Sequence, residues 1–190
     1  MTHPAYFFGY GSLVNRDTHQ FEDAQTAQLQ GWRRMWRHTP ARQVAYLTVV
    51  PDETSQIDGL IAAVPDQDWA ALDHRERAYD RVQAAHQITH SLGHAPDLVV
   101  YAIPDQQHAT PTRAGPVLLS YIDVVIQGYL REFGETGAAQ FFDTTHGWDA
   151  PILADRDDPR YPRHCRLSPS ERDCVDTHLE HLGVRFITSL

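Results

Sequence analysis

The hydrophobic and polar positions of this 190-residue chain change their period near residue 65. Before that point, apolar residues cluster or alternate in short stretches bounded by glycine, proline and polar residues, which is typical of β-strands. The sequence Pro-Asp-Glu-Thr-Ser at residues 51–55 predicts a turn between two of these strands. In the whole chain, strands are predicted at residues 5–9, 28–38, 44–50, 57–64, 81–89 and 98–103.

Three helices are predicted after residue 65. In the first, spacings of three, four and three residues place four side chains on one face: Trp69, Leu72, Glu76 and Tyr79. The second covers residues 117–133 and is expected to end at the glycines that follow, Gly134 and Gly137. Residues 142–166 are expected to be irregular, and a capping box at residues 168–171 then opens a third helix to about residue 182. This order fits a single α+β domain over residues 1–190, a small mixed β-barrel with packed helices.

The composition is that of an ordinary globular protein, with 42% hydrophobic and 22% charged residues. Aspartate and glutamate outnumber lysine and arginine by 25 to 16, and the formal net charge is −9. This balance argues against nucleic acid or an anionic membrane as the main partner. The basic, aromatic cluster at residues 32–38 is typical of a nucleic-acid patch or, in the interpretation we favour, of a strand whose tryptophans alternate inward.

Neither a membrane span nor a secretion signal is expected. No apolar run approaches the roughly 20 residues needed to cross a bilayer, and the N-terminus lacks a basic start with an apolar stretch. We therefore expect a cytoplasmic protein and interpret its two cysteines, Cys165 and Cys174, as ordinary thiols. The histidines at 86, 90 and 94 suggest a metal site, but on a strand the first two would lie roughly 13 Å apart, so no metal is predicted.

The stretch from Gly9 to Leu13 is the first candidate site. A short apolar strand runs into Gly9-Tyr10-Gly11-Ser12-Leu13, where several backbone N–H groups lack strand partners. The amides of residues 10–13 are able to hold a carboxylate. Two other interpretations stay open: a tight bend at a sheet corner, and a nucleophilic role for Ser12, although the Gly-x-Ser-x-Gly elbow is lacking.

Glu76 is the second candidate. It shares its predicted helical face with apolar and aromatic side chains and therefore points toward the core. Partial desolvation would raise the pKa of its carboxyl from about 4.3 toward neutrality, where proton transfer in both directions is efficient. The alternative is a solvated ion-pair network with one of the arginines nearby: Arg75, Arg77 or Arg81.

Together these two candidates resemble the gamma-glutamylcyclotransferase-like superfamily, with its ChaC-type and AIG2-like branches. The matching segments are residues 8–13 and, about 60 residues later, residues 72–79. Residues 31–34 and 58–60 are similar to the family's second strand and to the strand before its catalytic helix. Arg77 and Ala78 stand where the family often has Gly-Tyr. The resemblance therefore selects a γ-glutamyl group but not glutathione in particular.

The resemblance implies a cavity between the glycine loop and the catalytic glutamate. Members release a γ-linked glutamyl group as 5-oxoproline by attack of its α-amine on its own γ-carbonyl, which makes Glu76 the general acid and base. The resemblance assigns substrate binding to Gly9, Tyr10, Gly11, Ser12, Leu13 and Tyr121. The implied partner is a small-molecule γ-glutamyl substrate, and no cofactor is implied because both reacting groups belong to one molecule.

Two further questions stay open in the sequence. A non-catalytic module that binds a small acidic metabolite would keep the same cavity, and the oligomeric state is not determined. Residues 155–163, Asp-Arg-Asp-Asp-Pro-Arg-Tyr-Pro-Arg, are interpreted either as a lid whose arginines meet an acidic substrate or as a surface loop with paired charges.

Overall fold

A mixed β-sheet of seven strands forms the centre of the computed structural model, which describes residues 4–39 and 43–190. Residues 1–3, which belong to the N-terminus on which the secretion prediction rests, lie outside the described residues. The strands are β1 (Tyr6–Gly9), β2 (Gln25–Arg37), β3 (Tyr46–Ala63), β4 (Asp80–Gln83), β5 (Ile88–Thr89), β6 (Leu98–Ala102), β7 (Val117–Leu118), β8 (Thr145–His146), β9 (Ile152–Leu153) and β10 (Phe186–Ile187). The α-helices are α1 (Ala70–Arg75), α2 (Leu119–Asp143) and α3 (Pro169–His181).

The predicted α+β class is confirmed, but the sheet does not close into the predicted barrel. Its strand order is β4-β6-β1-β3-β2-β5, with β8 also pairing with β2, and β4 and β5 are the two ends of this path. The backbone of the connection between them, residues 84–87, is hydrogen-bonded to the strands next to the two ends, β6 and β2. Ala84 N–H donates to Leu98 O at 3.0 Å, and Gln30 N–H donates to Gln87 O at 2.8 Å. This connection also divides the single strand predicted at residues 81–89 into β4 and β5.

β2 carries the basic, aromatic cluster of the sequence. Trp32, Arg34 and Trp36 alternate along the strand and are all buried. The inward alternation of the tryptophans is therefore confirmed. The burial of Arg34, with an exposure of 0%, was not predicted.

β3 continues through the turn that was predicted at residues 51–55. The pairing with β2 shifts register there: Gln30 lies opposite Gln56, while Trp32 lies opposite Pro51. The Asp52 carboxylate accepts a 3.0 Å bond from Thr54 N–H. The turn-forming residues thus produce a bulge within a long strand, because the ladder resumes on both sides of them.

The helix predicted from residue 65 is interrupted. A 3₁₀ turn, Pro65–Gln67, contains Asp66 with a φ of 50°, and α1 begins only at Ala70. The Asp68 carboxylate accepts a 2.9 Å bond from Ala70 N–H, as expected of a residue at a helix start. Glu76 is the C-cap residue of the six-residue α1, not a mid-helix residue.

α2 is interrupted at the glycine that was predicted to end it. Gly134 adopts a φ of 67° and a ψ of −168°, which are not helical, so the first helical segment ends there and a second segment continues to Asp143. The first segment packs fully buried residues, among them Ile122, Val125 and Tyr129, into the main core. None of the helices in residues 4–39 and 43–190 is long and apolar enough to cross a membrane.

The C-terminal part contains a second, three-stranded sheet and α3. β9 pairs in parallel with β7 on one side and with β10 on the other, inside the stretch predicted to be irregular. The predicted capping box is confirmed. Glu171 N–H donates to the Ser168 hydroxyl at 3.3 Å, and Ser168 N–H donates to the Glu171 carboxylate at 2.7 Å.

Candidate active site

The glycine loop, residues 9–13, leaves the end of a central strand and turns at once. Gly11 precedes a 3₁₀ turn, Ser12–Val14, and Gly11 O accepts a 2.9 Å bond from Val14 N–H. A Cβ atom on Gly9 would lie 2.6 Å from the Cβ of Leu13, so the chain can double back only because Gly9 lacks a side chain. The bend predicted as one alternative is therefore present, and it sits at the mouth of a cavity.

Asn15 fixes the far end of the loop to α2. Its side chain is fully buried, and its amide donates to Val124 O at 2.9 Å and to the Gln127 side chain at 3.0 Å. These contacts span more than 100 residues of sequence, and nothing in the local pattern pointed to them.

Tyr121 of α2 meets the loop at Gly11 and Ser12. A Cβ atom on Gly11 would lie 2.5 Å from the Tyr121 hydroxyl oxygen. Burial raises the pKa of Tyr121, so its hydroxyl stays neutral, and the backbone of Ser12 is near enough to offset part of that rise. The structure therefore brings the predicted residue Tyr121 to the predicted loop.

Glu76 lines the same cavity from the opposite side. Its side chain is 16% exposed, and its Oε1 lies 3.2 Å from Nε of Arg75, whose side chain is 10% exposed. The core-facing and ion-pair interpretations of Glu76 are therefore both partly correct, since the pair is largely shielded from solvent.

The cavity itself is small, about 30 Å³. That is room for about one water molecule, whereas small-molecule sites usually measure about 300 to 1,000 Å³. It is lined by the glycine loop, by Glu76 and by apolar and aromatic side chains: Phe8, Leu47, Tyr79, Tyr101 and Tyr121.

The tyrosines around Glu76 are held as neutral donors. Tyr10 donates to Tyr101 O at 2.6 Å, Tyr79 donates to Leu47 O at 2.9 Å, and Tyr101 donates to the Asp73 carboxylate at 2.6 Å. Burial raises the pKa of all three phenols. They provide a polar but uncharged wall beside the carboxylate.

A strap, residues 155–163, covers the glycine loop. The Tyr161 hydroxyl donates to Ser12 Oγ at 2.9 Å, and the rings of Tyr161 and Tyr121 meet edge to face at 4.9 Å between centroids. The strap thus touches the site with a tyrosine. Arg156 behaves differently: it forms an ion pair with Asp123 at 2.7 Å, as the paired-charge interpretation expects, while Arg160 and Arg163 are exposed.

Larger hollows occur elsewhere in the part of the chain that the structure describes, and none of them is lined by Glu76 or the glycine loop. One of about 790 Å³ lies between the strap, α2 and the start of α3. Its charged groups Asp123 and Arg156 are already paired with each other through two hydrogen bonds, at 2.7 and 2.8 Å. Among the described residues no group of three or more His, Cys, Asp or Glu side chains is placed to hold a metal ion.

The sequence of residues 7–117 matches the family described as gamma-glutamyl cyclotransferase, AIG2-like. The chain belongs to this family. The family match includes the glycine loop and Glu76, while Tyr121 and the strap lie beyond it. No curated protein matches the sequence.

Solved structures share this cyclotransferase fold at low identity. A gamma-glutamyl cyclotransferase is 12% identical over 92% of this chain and 99% of its own, with a TM-score of 0.58. An uncharacterized protein from Homo sapiens is 13% identical over 90% of this chain and 98% of its own, also at 0.58. YkqA from Bacillus subtilis is 18% identical over 77% of this chain, with a TM-score of 0.57, and the match spans only 57% of YkqA.

Proposed function

We propose that this protein is a γ-glutamylcyclotransferase that releases 5-oxoproline from a γ-glutamyl amine or peptide. One observation carries the proposal: Glu76 and the glycine loop, which are 60 residues apart in sequence, line one cavity. Family membership supports the reaction class.

The proposed reaction needs one proton acceptor and a polar cradle. The α-amine nitrogen of the glutamyl group, in its neutral form, attacks the γ-carbonyl carbon and forms the new ring C–N bond as it passes one proton to Glu76. The bond from that carbon to the leaving amine then breaks, and Glu76 returns the proton to the leaving nitrogen. Atoms and charges balance within the substrate and one carboxylate, so the step consumes no co-reactant.

The loop supplies the cradle in this proposal. The backbone of Ser12 lies beside Tyr121, and both line the cavity. A substrate carboxylate, or the oxyanion that develops on the γ-carbonyl, would accept from these groups. Because the nucleophile and electrophile belong to one molecule, holding the glutamyl chain in a folded conformation supplies much of the acceleration.

Substrate entry requires the cavity to widen. Its 30 Å³ does not admit a glutamyl group, and the strap is the element that covers Ser12 through Tyr161. We infer that the strap is displaced when substrate binds. The lid interpretation of residues 155–163 is therefore part of the proposal, with Tyr161 rather than the arginines as its contact.

The test is product analysis on a panel of γ-glutamyl amines, γ-glutamyl amino acids and glutathione. We expect wild-type protein to release 5-oxoproline from at least one of them, and Glu76→Gln to lower kcat/KM by about 10²- to 10⁴-fold while remaining folded. Glu180→Gln, an exposed change on α3, is the matched control and should be fully active. Retained activity in Glu76→Gln would contradict the role of Glu76.

A non-catalytic binding protein is the second candidate, because the same closed cavity is compatible with a site that binds a small metabolite without converting it. Ligand-dependent thermal shifts without any product would favour it. A serine hydrolase is less well supported. Ser12 Oγ accepts from Tyr161 at 2.9 Å and from Arg75 at 3.3 Å, and no imidazole in residues 4–39 and 43–190 is seen to bond it as a general base would.

A further inference from the structure

Arg75 contacts both halves of the proposed site. Its Nε lies 3.2 Å from Glu76 Oε1, and its Nη2 donates to Ser12 Oγ at 3.3 Å. The same guanidinium also donates to Thr18 O at 3.0 Å and to the Thr18 hydroxyl at 3.3 Å. One side chain thus joins the end of α1 to the glycine loop and to the turn that follows it.

Thr18 completes this connection. Its hydroxyl donates to Ser12 O at 2.8 Å, while its carbonyl and hydroxyl oxygens accept from Arg75. Ser12 is therefore held through both its hydroxyl and its carbonyl. A change at Arg75 would remove one bond to the Ser12 side chain and the contact to the Glu76 carboxylate together.

Burial of the Arg75 guanidinium costs desolvation free energy, which its contacts with neighbouring groups must offset. Only 10% of the side chain is exposed, and desolvation lowers the pKa of the guanidinium. Arginine nevertheless stays cationic, so a positive charge is kept inside the protein. Arg77, the neighbour on the other side of Glu76, is exposed, which is the usual placement of an arginine.

We propose that Arg75 is a positioning residue of this site, which orients the Glu76 carboxylate toward the cavity and holds Ser12 opposite it. The proposal rests on the proposed function. A planar guanidinium that bonds a carboxylate oxygen and a hydroxyl at once fixes both in a way that a lysine ammonium does not.

The electrostatic surroundings of Glu76 make the proposal testable by pH. The phenols of Tyr10, Tyr79, Tyr101 and Tyr121 lie within electrostatic reach of Glu76, and each has a raised pKa and is neutral near pH 7. Arg75 lies beside the carboxylate, with Tyr161 and Arg163 within reach of Arg75 in turn. Removing the Arg75 charge disfavours the carboxylate form of Glu76, so the acid limb of the rate profile should move to higher pH.

The experiment compares Arg75→Gln, Arg75→Lys and the control Arg77→Gln as full chains, with kcat/KM measured from pH 5 to 9. We expect Arg75→Gln to lose about 10²-fold in kcat/KM, as a misplaced catalytic group does, and its acid limb to rise by about one pH unit. Arg75→Lys keeps the positive charge but loses the planar guanidinium that bonds two partners at once. Its acid limb should therefore stay near that of wild type while its kcat/KM falls. Arg77→Gln should match wild type.

Two outcomes would overturn the proposal. One is an Arg75→Gln variant with wild-type kcat/KM and an unmoved acid limb, while Glu76→Gln is inactive; this leaves the proposed function intact. The other concerns the pH titration of the Glu76 carboxyl group, which is monitored by ¹³C NMR. The spectrum of Glu76→Gln assigns the Glu76 signal. An unchanged midpoint of the Glu76 titration in Arg75→Gln would refute the role of Arg75, whether or not the wild-type protein is active. Failure of the wild-type protein to release 5-oxoproline would count against the proposed function alone.

Discussion

The glycine loop and the strap meet at the same serine, but they are held there by different interactions. The loop is fixed by the close packing of Gly9 against Leu13 as well as by the fully buried hydrogen bonds of Asn15 to α2. The strap is fixed by polar contacts at its start, where the Asp155 carboxylate accepts from Ser120 N–H at 2.8 Å and from Arg160 N–H at 2.9 Å. Packed backbone has one arrangement, whereas hydrogen bonds can be exchanged for bonds to water or to a ligand.

This difference coincides with the extent of the family match. Residues 7–117 carry the loop and Glu76, and the match ends before Tyr121 and the strap. We infer that the first region supplies the chemistry that the family shares, and that the second controls what reaches it. This division between the two regions can be tested by substitution.

The largest effect is expected at the anchor of the strap. Asp155 is 5% exposed and also accepts from the Ser120 hydroxyl at 2.6 Å. Asp155→Ala removes an acceptor from several donors at once and should lower the free energy of unfolding by about 3 kcal/mol. Amide hydrogen exchange should rise in residues 155–163 and stay unchanged in residues 5–14. Asp158→Ala, an exposed change in the same strap, is the control; equal exchange in both segments would contradict the division.

A smaller loss of stability is expected at Gly11. A Cβ atom there would collide with the Tyr121 hydroxyl, so Gly11→Ala should cost about 2 kcal/mol in the free energy of unfolding. The next contact of that Cβ is Leu47 Cδ2 at 3.4 Å, which is ordinary packing. Tyr121→Phe removes the colliding oxygen, and the double variant Gly11→Ala with Tyr121→Phe should therefore be more stable than Gly11→Ala. Denaturant unfolding measures both; additive losses would show that the two residues do not meet.

The smallest effect is expected at Tyr161. Tyr161→Phe keeps the ring on Tyr121 but removes the hydrogen bond to Ser12, which is worth about 1 kcal/mol. If this bond holds the strap closed, its loss raises the population of the open form and lowers KM by about fivefold, with kcat near that of wild type. Steady-state kinetics with the best γ-glutamyl substrate measures kcat and KM for both proteins. A KM that rises instead would mean that the Tyr161 hydroxyl binds substrate and does not hold the strap closed.

The sequence predicted elements wherever a local signal decides the structure. The period-2 alternation of Trp32 and Trp36 and the capping box at Ser168 and Glu171 are both confirmed, because they depend on neighbours along the chain. The loop and Glu76 were likewise recognisable as motifs, and the structure brings them to one cavity.

The remaining features depend on partners that are distant in sequence. A bulge opposite Gly31 replaced the predicted turn at residues 51–55, and β4 and β5 do not pair with each other to close a barrel; both outcomes depend on strand pairing. Arg34 is buried because Tyr10 O and the Thr144 hydroxyl accept from it at 3.1 and 2.7 Å. Such contacts cannot be predicted from the local sequence pattern, and neither can the hydrogen bond from the Tyr161 hydroxyl to Ser12.

The central claim is that the α-amine of the substrate, and not water or Ser12, attacks the γ-carbonyl. Mass spectrometry of the products formed in H₂¹⁸O tests it most directly, with an Nα-acetylated γ-glutamyl amine as the blocked control. Attack by the α-amine should yield unlabelled 5-oxoproline in equal amounts to the released amine, and no turnover of the blocked substrate. Glutamate carrying ¹⁸O, or cleavage of the blocked substrate, would contradict it.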